Sequence, residues 1–175
     1  MSEISIRPAA PNDLVAITDI YADAVRHGTA SFEIDPLGPD EMMLRFEALG
    51  AGGFPYLVAE LKGAVVGYAY AGPYRARPAY RFTVEDSIYL AAPARRRGIG
   101  RALLARLIED AQRRGFRQMI AVIGDSDQPA SIALHAEAGF RLIGTFAAVG
   151  YKFDRWLDSV LMQRPLGDGA TSVPR

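Results

Sequence analysis

A turn rich in arginine and glycine constrains this chain most, because it joins a strand-like run to an amphipathic helix. The turn reads Arg95-Arg96-Arg97-Gly98-Ile99-Gly100 and lies between a predicted strand over 82–90 and a predicted helix over 99–114. Glycine lets the backbone turn sharply and approach a ligand closely. The first turn of the helix offers unpaired N–H groups and a positive dipole end, and arginines add bidentate donors. The sequence therefore predicts a site for a pyrophosphate or a similar polyanion.

Two other phosphate motifs do not fit this turn. A Walker loop requires Gly-Lys-Ser/Thr after four intervening residues, and the turn lacks it. The dinucleotide fingerprint requires a third glycine after Gly98 and Gly100, but Leu103 stands at that position. The alternative to anion binding is a helix start with a solvated basic turn. The arginine run between a strand and a helix favours anion binding.

Composition limits the classes of partner. Twenty basic and twenty acidic residues cancel, so no global field attracts nucleic acid. The chain has no cysteine and two histidines, which excludes disulfides and a cysteine nucleophile and predicts no metal site. The longest apolar stretch, 64–71, is too short to span a bilayer, and no secretory signal is visible. We expect a soluble, cytoplasmic protein without a membrane partner.

Hydrophobic periodicity predicts a mixed sheet with helices packed on it, in the order β-α-α-β-β-β-α-β-α-β-β. The predicted helices end at Gly28, Ala48, Arg114 and Ala138, the sixth strand starts at Gly139, and the last covers 156–162. With 175 residues, we expect one domain over 1–165 and a flexible tail over 166–175. Trp156 is expected in the core or at an interface.

Alternation along the predicted strand over 82–90 separates two neighbouring carboxylates. Glu85 shares a face with Thr83, Ser87 and Tyr89, whereas Asp86 points the other way. Glu85 is a candidate general base, because partial burial raises a carboxyl pKa toward neutrality. The alternative is a structural carboxylate that pairs with an arginine of the preceding loop, Arg75, Arg77 or Arg81. The pattern alone slightly favours this alternative.

Two further groups have open interpretations. His135 lies one helical turn beyond Ser131, where a packed or capping histidine is commoner than a catalytic one. Arg75 and Arg77 flank Ala76 in a stiff loop, where they would either clamp an anionic substrate or remain solvated. The segment Thr29-Ala-Ser-Phe-Glu33 follows the first helix and is placed to edge the same pocket.

The whole arrangement resembles the GNAT superfamily of N-acetyltransferases, and within it the phosphinothricin and methionine sulfoximine N-acetyltransferase family. Arg95-x-x-Gly98-x-Gly100 resembles the superfamily's coenzyme A pyrophosphate turn. Further stretches that resemble the family are Thr29-Ala-Ser-Phe-Glu33, Tyr74-Arg-Ala-Arg-Pro-Ala-Tyr80, Thr83-Val-Glu-Asp-Ser-Ile-Tyr89, Ser131-Ile-Ala-Leu-His135 with Gly139-Phe140, and Lys152-Phe-Asp-Arg-Trp-Leu-Asp158.

The resemblance implies an α/β (α+β) GNAT fold: a mixed, mostly antiparallel sheet that splays in the middle, with helices on both faces. It implies acetyl-CoA as cosubstrate, with no metal. The cofactor-binding residues it indicates are Ile88, Tyr89, Leu90, Arg96, Arg97, Gly98, Ile99, Gly100, Arg101, Gln128 and Ser131. The substrate-binding residues it indicates are Phe32, Arg75, Ala76, Arg77, Glu85, Asp86 and Ser87.

The implied reaction is acetyl transfer to the α-amine of a small amino-acid analogue such as phosphinothricin, methionine sulfoximine or methionine sulfone. The amine attacks directly through a tetrahedral intermediate, with Glu85 as base and His135 as acid, base or coenzyme A partner. Alternatives are acetylation of a protein N-terminus or a polyamine, or a non-catalytic acetyl-CoA sensor. The resemblance also implies a homodimer. Gln128 departs from the asparagine that is common in relatives, and Asp154 from a usual glycine.

Overall fold

The structure is a computed structural model that describes residues 4–174. Within them, strands and helices follow the predicted order. The strands are β1 (Ile4–Pro8), β2 (Tyr56–Leu61), β3 (Ala64–Pro73), β4 (Thr83–Leu90), β5 (Gln118–Gly124), β6 (Arg141–Lys152) and β7 (Arg155–Pro165). The helices are α1 (Leu14–His27), α2 (Pro39–Ala51), α3 (Ile99–Arg113) and α4 (Pro129–Glu137). Residues 1–3 and 175, which the predicted domain and tail include, lie outside the described residues.

The strands form one sheet in the order β1-β2-β3-β4-β5-β7-β6. Only β4 and β5 are parallel among the neighbouring pairs of described strands. Their pairing runs from Thr83 with Gln118 to Asp86 with Ala121 and then stops, although β3 still pairs with β4 as far as Leu90. The predicted mixed, mostly antiparallel sheet with a splay in the middle is confirmed.

Hydrophobic cores cover both faces of the sheet, because alternate residues of each central strand point to opposite sides. On β3, Ala69 and Ala71 belong to the α3 side, where they leave room for the buried leucines of α3. Tyr68 belongs to the opposite side, where it packs with α1 and α2. The prediction of helices on both faces is therefore confirmed.

Several element bounds differ from the predicted ones. The sixth strand starts at Arg141 rather than Gly139, because Gly139 has a φ of +85° and the Phe140 N–H still donates to the His135 carbonyl at the end of α4. The last strand extends to Pro165, because it pairs with β5 from Ser159 to Pro165. Trp156 is 65% exposed, so it is not a core residue of the single chain.

The segment after β7 contacts the domain. Leu166 is buried in the α3-side core, and its N–H donates to the Arg117 carbonyl. Arg117 in turn donates to the Ser172 hydroxyl over 2.7 Å. The mobility of 166–175 stays a prediction, but Leu166 is a core residue. No helix within the described part of the chain is long and apolar enough to cross a membrane.

Candidate active site

The two adjacent carboxylates of β4 lie in different environments, as the strand alternation predicts. Val84 and Ile88 belong to the α3-side core and Tyr89 to the α1 side, so Glu85 lies on the α1 side and Asp86 on the α3 side. Both sit at the point where β4 and β5 separate. The Glu85 and Asp86 carboxylates therefore lie on opposite faces of the sheet, next to the opening between β4 and β5.

Glu85 is partly buried on the α1 side of β4. Burial raises the pKa of its carboxyl, repulsion from Asp86 raises it further, and attraction to Arg75 lowers it. Among residues 4–174, Arg75 is the cation close enough to act on this carboxylate, and it forms no ion pair with it. This weighs against the alternative in which Glu85 is a structural partner of a loop arginine. A carboxylate of this kind is suited to accept a proton near neutral pH.

Asp86 and His135 form a buried pair on the other side of the strand. The exposed fractions of the two residues are 6% and 4%, and Nε2 of His135 lies 2.9 Å from Oδ2 of Asp86. Nδ1 lies 2.8 Å from the Ser131 carbonyl oxygen. Because both partners are acceptors, both ring nitrogens donate, which is the bonding pattern of an imidazolium. The structure therefore separates His135 from Glu85 by the thickness of the strand.

The surroundings of His135 favour its charged form. Burial alone lowers the pKa of the imidazole, but the hydrogen bond and charge of Asp86 and the Ser131 carbonyl outweigh it, so the pKa is raised. Oδ2 of Asp86 is bonded to His135, whereas Oδ1 is buried without a hydrogen-bond partner among the described residues. The predicted contact of Asp86 with a substrate stays a prediction.

Tyrosine rings form the wall next to Glu85. Tyr21 of α1 packs edge to face on Tyr89 with ring centroids 5.1 Å apart, and Tyr70 is the β3 partner of Ser87. Burial raises the pKa of Tyr21, Tyr70 and Tyr89, so their phenols stay protonated at neutral pH. Near neutral pH, Glu85 is therefore better suited than these phenols to act as a base.

The arginine and glycine turn has the geometry that the sequence predicts for an anion site. Gly98 precedes α3 with a φ of +78°, a conformation that favours glycine. Within residues 4–174, no side chain caps the start of α3. Residues 95–97 are exposed, while Ile99 and Gly100 are buried beneath them. Backbone donors, a dipole end and exposed guanidinium groups thus meet at one place.

The path from this turn to Glu85 follows the free edge of β4. Ile88, Tyr89 and Leu90 pair with β3 on one side, and the pairing with β5 on the other side ends before them. Their backbone groups on that side are available to an extended ligand. Arg101, at the start of α3, forms an ion pair with Glu137 of α4 beside a groove of about 440 Å³.

The start of α4 contacts the segment between α1 and α2 through a side-chain hydrogen bond. Gln128 precedes the helix, and its Nε2 donates to the Thr29 hydroxyl over 2.9 Å. Ser131, the third residue of α4, accepts from His135 through its carbonyl. The Gln128 side chain is therefore directed to Thr29, and its predicted role in cofactor binding stays a prediction.

Residues 28–33, here named the acceptor loop, lie against the same side of the sheet as Glu85. Ser31 Oγ lies 2.9 Å from the hydroxyl of Tyr21, which itself packs on Tyr89. A Cβ at Gly124 or Gly150 would collide with the ring of Phe32, so these glycines are needed for the close approach of the loop to β5 and β6. Phe32 remains 40% exposed and is available to a ligand.

The loop that carries the predicted arginine clamp is exposed. Arg75, Ala76 and Arg77 all lie at the surface. The Arg75 guanidinium lies 5.0 Å from the centre of the Tyr74 ring. The positive charge of Arg75 lowers the pKa of Glu85, so Arg75 lies near this carboxylate.

Sequence reasoning missed Lys152. This residue is 4% exposed, and its Nζ donates to the carbonyl oxygens of Gly28 and Ser31 over 2.9 Å each. Burial lowers the pKa of its ammonium against the attraction of Glu33. Backbone acceptors carry no residue-type signal, so no pattern in the sequence could have indicated these contacts.

Comparison with known proteins agrees with this geometry. Residues 15–140 match the acetyltransferase (GNAT) family. The chain belongs to the GNAT acetyltransferase family. This confirms the family that the Arg95–Gly100 turn and the flanking stretches resemble.

Individual relatives extend the likeness over nearly the whole chain. A phosphinothricin N-acetyltransferase of Alcaligenes faecalis is 51% identical over 97% of this chain and 86% of its own length. An L-methionine sulfoximine/L-methionine sulfone acetyltransferase of Salmonella typhimurium is 41% identical over 95% of this chain and 97% of its own. The crystal structure of a phosphinothricin acetyltransferase from Sinorhizobium meliloti in complex with acetyl-CoA superposes with a TM-score of 0.97. It is 50% identical and covers all of this chain and 94% of its own.

Proposed function

We propose that this GNAT protein transfers an acetyl group from acetyl-CoA to the α-amine of a small amino-acid analogue. The observation that carries the proposal is Glu85, a partly buried carboxylate with a raised pKa where β4 and β5 separate. The relatives named for phosphinothricin and for methionine sulfoximine or sulfone support this class of acceptor.

The residues present suit acetyl-CoA. The free edge of β4 at Ile88, Tyr89 and Leu90 offers backbone groups for an extended arm. The turn at residues 96–101 offers the α3 N-terminus and arginines for a pyrophosphate. When bound, acetyl-CoA supplies the acetyl group as an activated thioester.

Glu85 serves as the general base in this proposal. An amine must lose a proton to transfer an acetyl group as a neutral nucleophile, and the Glu85 carboxylate accepts that proton directly or through a water. A backbone N–H at residues 88–90 is placed to donate to an oxygen that gains negative charge. Tyr70 and Tyr89 beside Glu85 have raised pKa values and stay protonated, so they do not compete with it for the proton.

His135 acts as a positioning residue rather than as an acid for the departing thiolate. Its two nitrogens are both engaged, with Asp86 and with Ser131. The pair joins α4 to β4 at the last residue that pairs with β5. We therefore assign His135 to the support of the opened sheet.

Arg75 and Arg77 are the proposed partners of the acceptor's carboxylate. Guanidinium groups bind carboxylates bidentately, and Arg75 lies close enough to Glu85 to act on its charge. This arrangement disfavours a polyamine, whose cations these arginines would repel. The remaining alternatives are acetylation of a protein N-terminus and a non-catalytic acetyl-CoA sensor. A turnover assay distinguishes these alternatives from the proposed function.

The test is thiol release from acetyl-CoA with a panel of amines. Phosphinothricin, methionine sulfoximine and methionine sulfone should each support turnover, while spermidine and a peptide with a free N-terminus should not. Robust turnover of the peptide with none of the three analogues would overturn the acceptor class. Acetyl-CoA binding without any turnover would support the sensor.

We also propose a cytoplasmic homodimer that pairs through β6 and β7. These two strands expose six large apolar side chains, and clusters of exposed apolar surface commonly mark protein interaction sites. They are Leu142, Ile143, Phe146, Val149, Tyr151 and Trp156. Sedimentation velocity of the wild type should give a particle of twice the chain mass of 19.0 kDa. Phe146→Glu should lower the measured mass toward that of a single chain.

A further inference from the structure

Lys152 carries a buried ammonium group that is hydrogen-bonded to backbone carbonyls rather than to a carboxylate. Lysine is rarely buried without a carboxylate partner, yet the ammonium at the end of β6 donates to two backbone carbonyls. Among residues 4–174, Glu33 is the carboxylate whose charge acts on it, and Glu33 is itself bound by Arg45 of α2. The hydrogen bonds of this cation are therefore with the main chain of the acceptor loop, and the centre of the Phe153 ring lies 5.0 Å from Nζ.

The two carbonyls belong to Gly28 and Ser31, so the ammonium spans the first half of the acceptor loop. Thr29, which lies between them, and Ser31 are both 6% exposed. A carbonyl that is removed from water without a donor is destabilising. Lys152 supplies the missing donors for a segment that has no regular secondary structure.

The loop held in this way carries Phe32 and adjoins the wall of Glu85. Ser31 reaches that wall through Tyr21 and Tyr89. Phe32 fits against Gly124 and Gly150 without spare room. A small displacement of the loop would therefore move both the exposed ring of Phe32 and the hydroxyl of Ser31.

We propose that Lys152 is a positioning residue for the acceptor site, which it maintains by holding the carbonyls of Gly28 and Ser31. The inference rests on the proposed function for its kinetic readout only. It assigns no step of the reaction to the ammonium. It predicts that loss of Lys152 weakens productive binding of the acceptor amine and leaves the acetyl-CoA site intact.

The first experiment uses the two lysines of the chain, Lys62 and Lys152. Lys152→Met removes the donors and keeps an unbranched stem, while Lys62→Met makes the same change in the exposed β2–β3 turn. We expect Lys152→Met to raise the acceptor KM by about 10- to 100-fold, because a misplaced binding group costs this much in comparable sites. The acetyl-CoA KM should stay within about twofold. An unchanged acceptor KM, or equal rises in both constants, would overturn the proposal.

The second experiment restores the ammonium chemically. Because the natural chain has no cysteine, Lys152→Cys carries a single thiol. Alkylation of the unfolded variant with 2-bromoethylamine displaces bromide and forms a thioether that ends in an ammonium, whereas 1-bromopropane gives a neutral chain of similar length. After refolding, the aminoethyl form should recover the wild-type acceptor KM and the propyl form should not. Equal constants in the two forms would contradict the role of the cation.

A third readout needs no acceptor. Amide hydrogen exchange of residues 28–33 should be faster in Lys152→Met than in wild type, with β4 unchanged. If wild type turns over none of the amines, the proposed function fails while this comparison still decides the role of Lys152. Unchanged exchange in the acceptor loop would reject the positioning role even if the enzyme is active.

Discussion

The two sides of β4 place the same chemical group in different environments. Glu85 is partly buried, without an ion-pair partner among the described residues, and its pKa is raised. Asp86, the next residue, is buried and bonded to His135 at 2.9 Å. A strand places neighbours on opposite faces, so the carboxylate proposed as general base and the carboxylate paired with His135 are adjacent in sequence but separate in space. Adjacent acids therefore need not share a role.

The largest expected effect concerns the α1 side of β4, the open side, which carries Glu85. Glu85→Gln keeps the shape of the side chain and removes the base, so kcat should fall by about 10²–10⁴-fold with acetyl-CoA binding preserved. Steady-state kinetics and titration calorimetry measure the two quantities. Glu47→Gln makes the same change on the exposed side of α2 and should leave both near wild type. A near-wild-type kcat in Glu85→Gln would exclude Glu85 as the general base.

The next effect concerns the α3 side of β4, the buried side, which carries Asp86. Asp86→Asn leaves the imidazolium without its charged partner, which should lower the free energy of unfolding by about 3–5 kcal/mol. Urea unfolding measures this loss, and the exposed Asp23→Asn, which removes the carboxylate partner of His27, is the control. Because the Asp86 charge raises the pKa of Glu85, its removal should also shift the acid limb of kcat/KM to lower pH. A shift to higher pH would contradict the electrostatic link between the two sides.

A smaller effect concerns the arginine beside the open side. Arg75→Ala should raise the acceptor KM by about tenfold, the cost of one charge-assisted hydrogen bond, and leave the acetyl-CoA KM unchanged. Arg75 lowers the pKa of Glu85, so its loss should move the acid limb to higher pH, opposite to Asp86→Asn. Arg26→Ala, at the exposed end of α1, is the matched control. Equal changes in both KM values would exclude a clamp for the acceptor.

The smallest effect is the pH dependence of stability. The pKa of His135 is raised in the folded state, so its contribution is fully present below the unfolded value of about 6.5 and declines as pH rises through the folded pKa. The stability difference between wild type and His135→Gln should be larger at about pH 6 than at about pH 9. His27→Gln removes the other, exposed histidine–aspartate contact and should give a small difference at both pH values. A difference that grows with pH would contradict a charged His135.

Local patterns in the sequence predicted the parts of the site that depend on neighbours along the chain. The alternation over 82–90 separated Glu85 from Asp86, and the Arg95–Gly100 turn indicated an anion site before a helix. Both features follow from backbone periodicity and from glycine's freedom at Gly98. The element order was correct for the same reason.

Contacts between distant segments could not be predicted in this way. His135 reaches Asp86 across 49 residues, and Gln128 reaches Thr29 across 99. Such pairs depend on how α4 and the acceptor loop pack on the sheet, which no local spacing encodes. The hydrogen bonds that Lys152 makes within residues 4–174 go to backbone carbonyls of this loop, and every residue type offers those.

The pH profile of kcat/KM for the acceptor, measured in wild type and in Glu85→Gln, tests the central claim most directly. The wild-type profile should lose activity toward acid with an apparent pKa above the ordinary carboxyl value, because burial and Asp86 raise the pKa of Glu85. That limb should be absent from the residual activity of Glu85→Gln. An identical acid limb in both proteins would show that another group accepts the proton, and the assignment of the open side of β4 to catalysis would be wrong.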